Sequence, residues 1–191
     1  MTEPKPLRAD ARRNRARVLD AAEVVFAAKG TSATTEEVAR EAGVGVGTLF
    51  RHFPTKEALL EAVLFDRVRR FADEAELVAA ADKPGEVFYT FLTSWVEMSS
   101  AKNAYGDALA AAGVEIPKPP SIAGIRVLET LATVLSRAQD AGAVRKDISV
   151  DELIPVIIGA SRAAEHVGGD TELRDRTISV MLDSLRPRVG S

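Results

Sequence analysis

Apolar residues at Val18, Leu19, Ala22, Val25 and Phe26 fall at i, i+1, i+4, i+7 and i+8, the spacing of a helix that buries one face. Gly30, just past Lys29, suits the residue after a helix end, because it takes a positive φ without a Cβ clash. Thr34-Thr35-Glu36-Glu37 reads as a capping box, with Thr34 as N-cap and Glu37 three residues on. A short helix then runs to about Ala42, and Gly43-Val44-Gly45 breaks it. A second short helix covers about Val46 to His52. Phe53-Pro54-Thr55 closes that module, and Thr55 caps a long helix carrying Ala58, Leu59, Ala62, Val63 and Phe65.

Further helix starts are predicted at Asp82-Lys83-Pro84 (proline at the first helical position), at Ser121, at the capping box Ser149-Val150-Asp151-Glu152, and at Thr171. Pro117-Lys118-Pro119-Pro120 is a stiff extended break, Gly142 and Gly168-Gly169 mark turns, and Pro155 is expected to kink its helix. Alternating apolar runs are too short for strands. The expected fold is all-α with about nine helices, three of them before residue 54, followed by a helical bundle. Residues 1–10, with Pro4 and Pro6, are expected to be a disordered arm.

Composition narrows the chemistry. Twenty-eight acids against 25 bases give a net charge of −3, which is not that of a polybasic nucleic-acid coat. The balance is uneven, at +3 over residues 1–70 and −6 over the remainder. A small front module can therefore approach polyanions, and a larger acidic body would not. No cysteine occurs, which excludes disulfides, thiolate metal sites and cysteine nucleophiles; with only His52 and His166, no metal site is expected. There is no apolar signal core and no membrane-length apolar run, so a cytoplasmic protein is expected.

The chemistry concentrates between Thr35 and Phe53. Ala39, Gly43, Val44 and Leu49 stand at helix-turn-helix spacing: a small residue for a close crossing, a glycine for the turn, and apolar plugs for the joint. Read so, the second helix enters a DNA major groove. Arg8, Arg12, Arg13, Arg15 and Arg17 precede the module, where an arm could reach the minor groove. Thr34 and Thr35 offer hydroxyls and N–H groups at a helix start, a natural phosphate seat. Lys56 is a cation in the first turn of a helix, unfavourable unless a phosphate sits against it.

The run Thr34-Thr35-Glu36-Glu37-Val38-Ala39-Arg40-Glu41-Ala42-Gly43-Val44-Gly45-Val46-Gly47-Thr48-Leu49-Phe50-Arg51-His52-Phe53, followed by Lys56-Glu57-Ala58-Leu59-Leu60, resembles the DNA-binding domain of TetR-family transcriptional regulators, over about residues 11–65. The stretch Ser136 to Asp147 is similar to one found in many C-terminal domains of that family. The resemblance implies a homodimer on a palindromic double-stranded operator, released by a small-molecule effector, with no cofactor. It implies a DNA-binding domain at 11–56 and a ligand-binding and dimerisation domain at 57–191. The DNA-binding residues it implies are Arg13, Thr34, Thr35, Gly45, Val46, Gly47, Thr48, Phe50, Arg51, His52 and Lys56.

Two departures from the family pattern stand out. Phe50 replaces a usual tyrosine and lacks the hydroxyl that reaches a phosphate. Gly45-Val46-Gly47 replaces residues with more hydrogen-bonding capacity, so base readout leans on Thr48, Arg51, His52 and contact of Val46 with a thymine methyl.

In the body, Phe88, Phe91, Trp95, Met98 and Tyr105, with Leu128 and Leu131 opposite, gather most of the aromatic surface and are expected to line a hydrophobic effector cavity. Leu153, Ile157, Ala160, Ala164, Ile178, Met181, Leu182 and Leu185 on the last two helices are the expected dimer contacts implied by the resemblance. His166 is read as structural or interfacial. An enzyme is not expected, because no Gly-x-Ser-x-Gly, Glu-x-x-His or phosphate-binding glycine loop occurs. The alternative is a DNA-binding assembly protein without effector control.

Overall fold

The computed structural model describes residues 5–111 and 122–187. Among these it has eight α-helices and one 3-10 turn: α1 Lys5–Lys29, the turn Gly30–Ser32, α2 Thr35–Ala42, α3 Val46–His52, α4 Lys56–Ala79, α5 Pro84–Ala111, α6 Ile122–Asp140, α7 Val150–Val167 and α8 Thr171–Asp183. The predicted caps set these boundaries. The Thr34 hydroxyl accepts from the Glu37 N–H at 3.2 Å, while the Glu37 carboxylate accepts from the Thr34 N–H at 3.1 Å. Glu152 accepts from both the N–H and the hydroxyl of Ser149 at 2.8 and 2.9 Å. At α8 the cap is Asp170, whose carboxylate accepts from the Leu173 N–H at 3.0 Å. α1 starts at Lys5, inside the segment expected to be disordered. Proline is tolerated in a first helical turn because the N–H groups there have no intrahelical acceptor, so Pro6 does not block it. The expected start at Ser121 and the break at 117–120 lie outside the described residues.

The chain divides into two compact units, Met1–Asp66 with Ala104–Pro117, and Arg67–Asn103 with Lys118–Ser191. The division falls past the expected boundary at residue 56, because the first turns of α4 pack into the first core through Leu59, Leu60 and Val63. That core is closed by the predicted face of α1 (Val18, Leu19, Ala22, Val25, Phe26), by Val38, Ala39 and Ala42 of α2, and by Leu49 of α3.

The second unit has its own core from α4 to α8, centred on Phe88, Leu92, Leu131, Leu153 and Ile178. Polar side chains fasten its joints. Arg126 of α6 donates through Nε and Nη2 to Glu76 at 2.6 and 2.7 Å, and through Nη1 to Asp73 at 2.8 Å. Arg137 donates to the carbonyls of Ala79 and Ala81 at the end of α4, where carbonyls lack helical partners. Gln139 donates to the carbonyls of Arg145 and Ile148 at 3.1 and 2.9 Å, closing the loop into α7. The family-like stretch at 136–147 is thus a set of fastenings. α7 continues as one helix through Pro155.

Candidate functional site

α2 and α3 meet through a turn in the left-handed region that favours glycine. Gly43 has φ +63°, and a Cβ there would lie 2.8 Å from Nη2 of Arg17. The Gly43 N–H bonds to the Arg40 carbonyl at 3.1 Å and the Val44 N–H to the Ala39 carbonyl at 3.0 Å, so the turn consumes the last carbonyls of α2.

α3 has few means of its own. It is seven residues long, its N-cap is Gly45 without a side-chain bond, and Leu49 is its fully buried residue. Burying one leucine contributes about 1.5–3 kcal/mol. Opposite Leu49, the exposed positions are Gly47, Phe50 and Arg51, at i, i+3 and i+4 on one face. Val46 is half-buried against the first core, and Thr48 and His52 are half-buried as well. The His52 ring lies 6.3 Å from that of Phe53. The face offered to solvent is therefore Gly45, Gly47, Phe50 and Arg51, with Val46, Thr48 and His52 at its margins.

The helix start at α2 differs from the expected phosphate seat. Thr34 is exposed, but Thr35 is 8% exposed and its hydroxyl donates to Glu36 at 3.3 Å, so that side chain does not face solvent. Two backbone donors of this end are already taken by the capping box, and the Glu37 carboxylate also accepts from Lys29 Nζ at 2.5 Å. That hydrogen bond, with the Thr34 N–H second, holds the Glu37 carboxyl below the ordinary glutamate range. Arg13 is exposed and paired with Asp10. Lys56 opens α4, is half-buried and is engaged within the chain. Arg15, expected only as one of a run of arginines before the module, has its guanidinium 5.3 Å from the centroid of the Phe53 ring, a contact the sequence did not reveal.

Comparison with known proteins settles the family. Residues 83–187, over half of the chain, match the family described as transcriptional regulator SbtR-like, C-terminal domain, and residues 18–63 match the bacterial regulatory proteins of the tetR family. The chain belongs to the TetR family of transcriptional regulators. A TetR regulator from Mycobacterium vanbaalenii superposes with a TM-score of 0.73 at 41% identity, over 95% of this chain and 100% of that one. The TetR regulator SCO0520 from Streptomyces coelicolor has a TM-score of 0.73 at 31% identity, over 92% and 99%. SrpR of Pseudomonas putida is 47% identical over 60 residues, 31% of this chain and 28% of SrpR. The chain thus matches less than half the length of the first curated relatives. TetR-family proteins are DNA-binding regulators and not enzymes, as the sequence reading expected. No helix of the described residues is long and apolar enough to cross a membrane.

The other predicted residues of this TetR protein fall in the second unit, apart from Tyr105, whose side chain lies outside the described residues. Phe88, Phe91, Met98 and Leu131 are packed into the core, and the Trp95 ring stacks against it 5.7 Å from Phe91 and 6.2 Å from Phe71. Phe88, Phe91, Met98 and Leu131 thus come together in one buried cluster, with Trp95 packed against it. Leu128 is half-buried outside the buried cluster. A cleft of about 310 Å³ lies instead between α5 and α8, lined by Tyr89, Thr93, Glu97, Asp175, Ile178 and Arg186 among others. The Arg186 guanidinium covers the Tyr89 ring at 4.6 Å and pairs with Asp183 at 2.7 Å.

The expected dimer residues lie largely within the protomer. Leu153, Ile157, Ala160, Ala164, Ile178, Leu182 and Leu185 are buried in the protomer's own core, and Met181 is packed against it. α7 and α8 turn these residues toward each other and toward α5 and α6, and leave Ile158 (57% exposed) and Val180 (66% exposed) on their outer surface. His166 is exposed in the last turn of α7.

Proposed function

We propose that this TetR-family protein is a ligand-responsive, sequence-specific DNA-binding regulator that acts in the cytoplasm as a homodimer on a palindromic operator, as a repressor released by a small hydrophobic effector. The observation that carries the reading is the exposed Gly47–Phe50–Arg51 face of α3, presented by a capped α2 and a turn whose left-handed position is filled by Gly43. Arg51 reads a guanine edge or an adjacent phosphate, Thr48 and His52 contact the margins, and Phe50 makes apolar contact only. Because the α3 side chains read so little, DNA shape and the exposed arginines of α1 carry part of the preference. Two copies meet through the outer surfaces of α7 and α8, where Ile158, Gly159 and Val180 are exposed. The effector acts on the second unit, entering the Phe88–Phe91–Trp95–Met98 core by displacing side chains, and shifts DNA affinity by a coupling of about 1–3 kcal/mol.

Selection of bound fragments from genomic DNA with the purified protein, at two salt concentrations, tests this. A recurring palindrome that fades as salt rises is the expected result. Salt-sensitive binding with no enriched motif would refute sequence-specific regulation and favour an assembly protein. In the same assay Arg51→Ala should relax base preference at one position of each half-site; unchanged affinity and preference would remove Arg51 from the readout.

A further inference from the structure

The arginines of α1 do not form one class. Arg12 and Arg13 are exposed, and Arg13 is paired to Asp10 within its own helix. Arg15 and Arg17 are exposed as well, but each also places its guanidinium beside one end of the α2–α3 module. Arg17 Nη2 occupies the space beside Gly43, where a Cβ would lie 2.8 Å away, at the turn that leads into α3. The Arg15 guanidinium sits 5.3 Å from the centroid of Phe53, the residue that ends α3 and whose N–H bonds to the Leu49 carbonyl at 2.9 Å.

We infer that Arg15 is a positioning residue for DNA recognition: it fixes the end of α3 through the face of Phe53 and does not itself neutralise a phosphate. The argument starts from how little holds α3. A seven-residue helix is far shorter than the ~12–15 residues at which an isolated helix becomes even marginally stable. Gly47 weakens its interior, Gly45 supplies no side-chain cap, and one residue is fully buried. Its orientation is therefore decided at its two ends. At the first end the Gly43 turn is closed by backbone bonds, with Arg17 beside it. At the second, Phe53 is buried on one side, and the remaining ring face is taken by a cation. A guanidinium over that face is held by the ring quadrupole and restrains both partners. In the free protein the Arg15 guanidinium is held at that ring. The inference rests on the reading of α3 as the DNA-binding element.

The test compares wild type, Arg15→Gln, Arg15→Lys, Phe53→Leu and the double variant Arg15→Gln/Phe53→Leu. The probes are binding to a mixed-sequence DNA duplex across a salt series and amide hydrogen exchange of the free protein. Arg15→Gln should weaken binding about two- to five-fold, the range of an exposed cation–π contact, with the slope of log affinity against log salt unchanged. Exchange should rise at Leu49 to Phe53. Arg15→Lys keeps a cation over the ring and should recover most of both effects. The double variant should lose no more than Phe53→Leu alone, which keeps the test decisive if that substitution loosens the module. A slope reduced by about 0.9 for Arg15→Gln would mark a lost phosphate contact and overturn the proposal. So would additive losses in the double variant, or unchanged exchange in α3. A wild-type protein that bound no duplex would refute the DNA-binding reading, and the exchange measurement would still decide what Arg15 does to α3.

Discussion

Lys29, the last residue of α1, donates through Nζ to Glu37, in the first turn of α2, at 2.5 Å. The same carboxylate accepts the Thr34 N–H, so one side chain fixes the angle between the two helices and caps the second. The DNA-binding module is therefore registered by a charged contact at its surface as well as by the apolar core beneath it.

Acid should loosen this joint. The Glu37, Glu76 and Glu152 carboxyls lie below the ordinary glutamate range, held there chiefly by Lys29, by Arg126 and by the Ser149 N–H. For a carboxyl lowered on folding, the stabilisation is complete above the unfolded value and is lost as pH falls through the folded one. Melting temperature should hold from neutrality to about pH 5 and fall below that, more shallowly in Glu37→Gln. Thermal melts by circular dichroism between pH 7 and pH 3 check it; parallel curves for the two proteins would refute the role of Glu37.

Two glycines should respond in opposite directions to alanine. Gly43→Ala forces a Cβ into a left-handed position beside Arg17 and should cost about 1–2 kcal/mol or more. Gly47→Ala meets nothing within 4 Å and removes a flexible residue from a helix interior, so it should stabilise by about 0.5–1 kcal/mol. Urea unfolding of both variants gives the comparison.

Arg126→Met should lower the melting temperature and release the end of α4 from α6. The substitution removes all three bonds, leaving Glu76 without this cation and Asp73 with Arg69 alone. Because the guanidinium is accessible to solvent, the difference from wild type should shrink in 1 M salt, which calorimetry at two ionic strengths measures.

The proposed self-association surface can be tested separately from the core. Ile158→Asp and Val180→Asp place charge on the outer surfaces of α7 and α8 and should yield folded monomers in sedimentation velocity. Ala160→Leu, at a fully buried position, should cost about 1–3 kcal/mol by overpacking and unfold the second unit first. Association that survives both aspartate variants would place the interface elsewhere.

The contrast between these positions shows where the sequence was readable. The α2–α3 module was legible because its signals are local: a capping box within four residues, a turn glycine, and apolar spacing within one helix. On α7 the apolar face of Leu153, Ile157, Ala160 and Ala164 was legible from its spacing, but not what it packs against, because spacing shows a buried face and not its partner. That partner is supplied by α5, α6 and α8. The aromatic cluster around Phe91 and Trp95 was correctly grouped, yet grouping cannot distinguish a lined cavity from a filled one. The Arg15–Phe53 contact escaped because a run of arginines on an exposed helix reads as solvated charge, and the ring it covers lies far along the chain.

The bare face of α3 also bears on solvent. Gly45 and Gly47 carry no side chain and are exposed. A helix with such a surface, laid in a major groove, displaces little of the water already bonded to the base edges. Those molecules would stay as bridges between the α3 backbone and the bases, at little entropic cost because they were ordered beforehand. Osmolytes that lower water activity should then strengthen the complex only slightly, because few molecules are released when it forms.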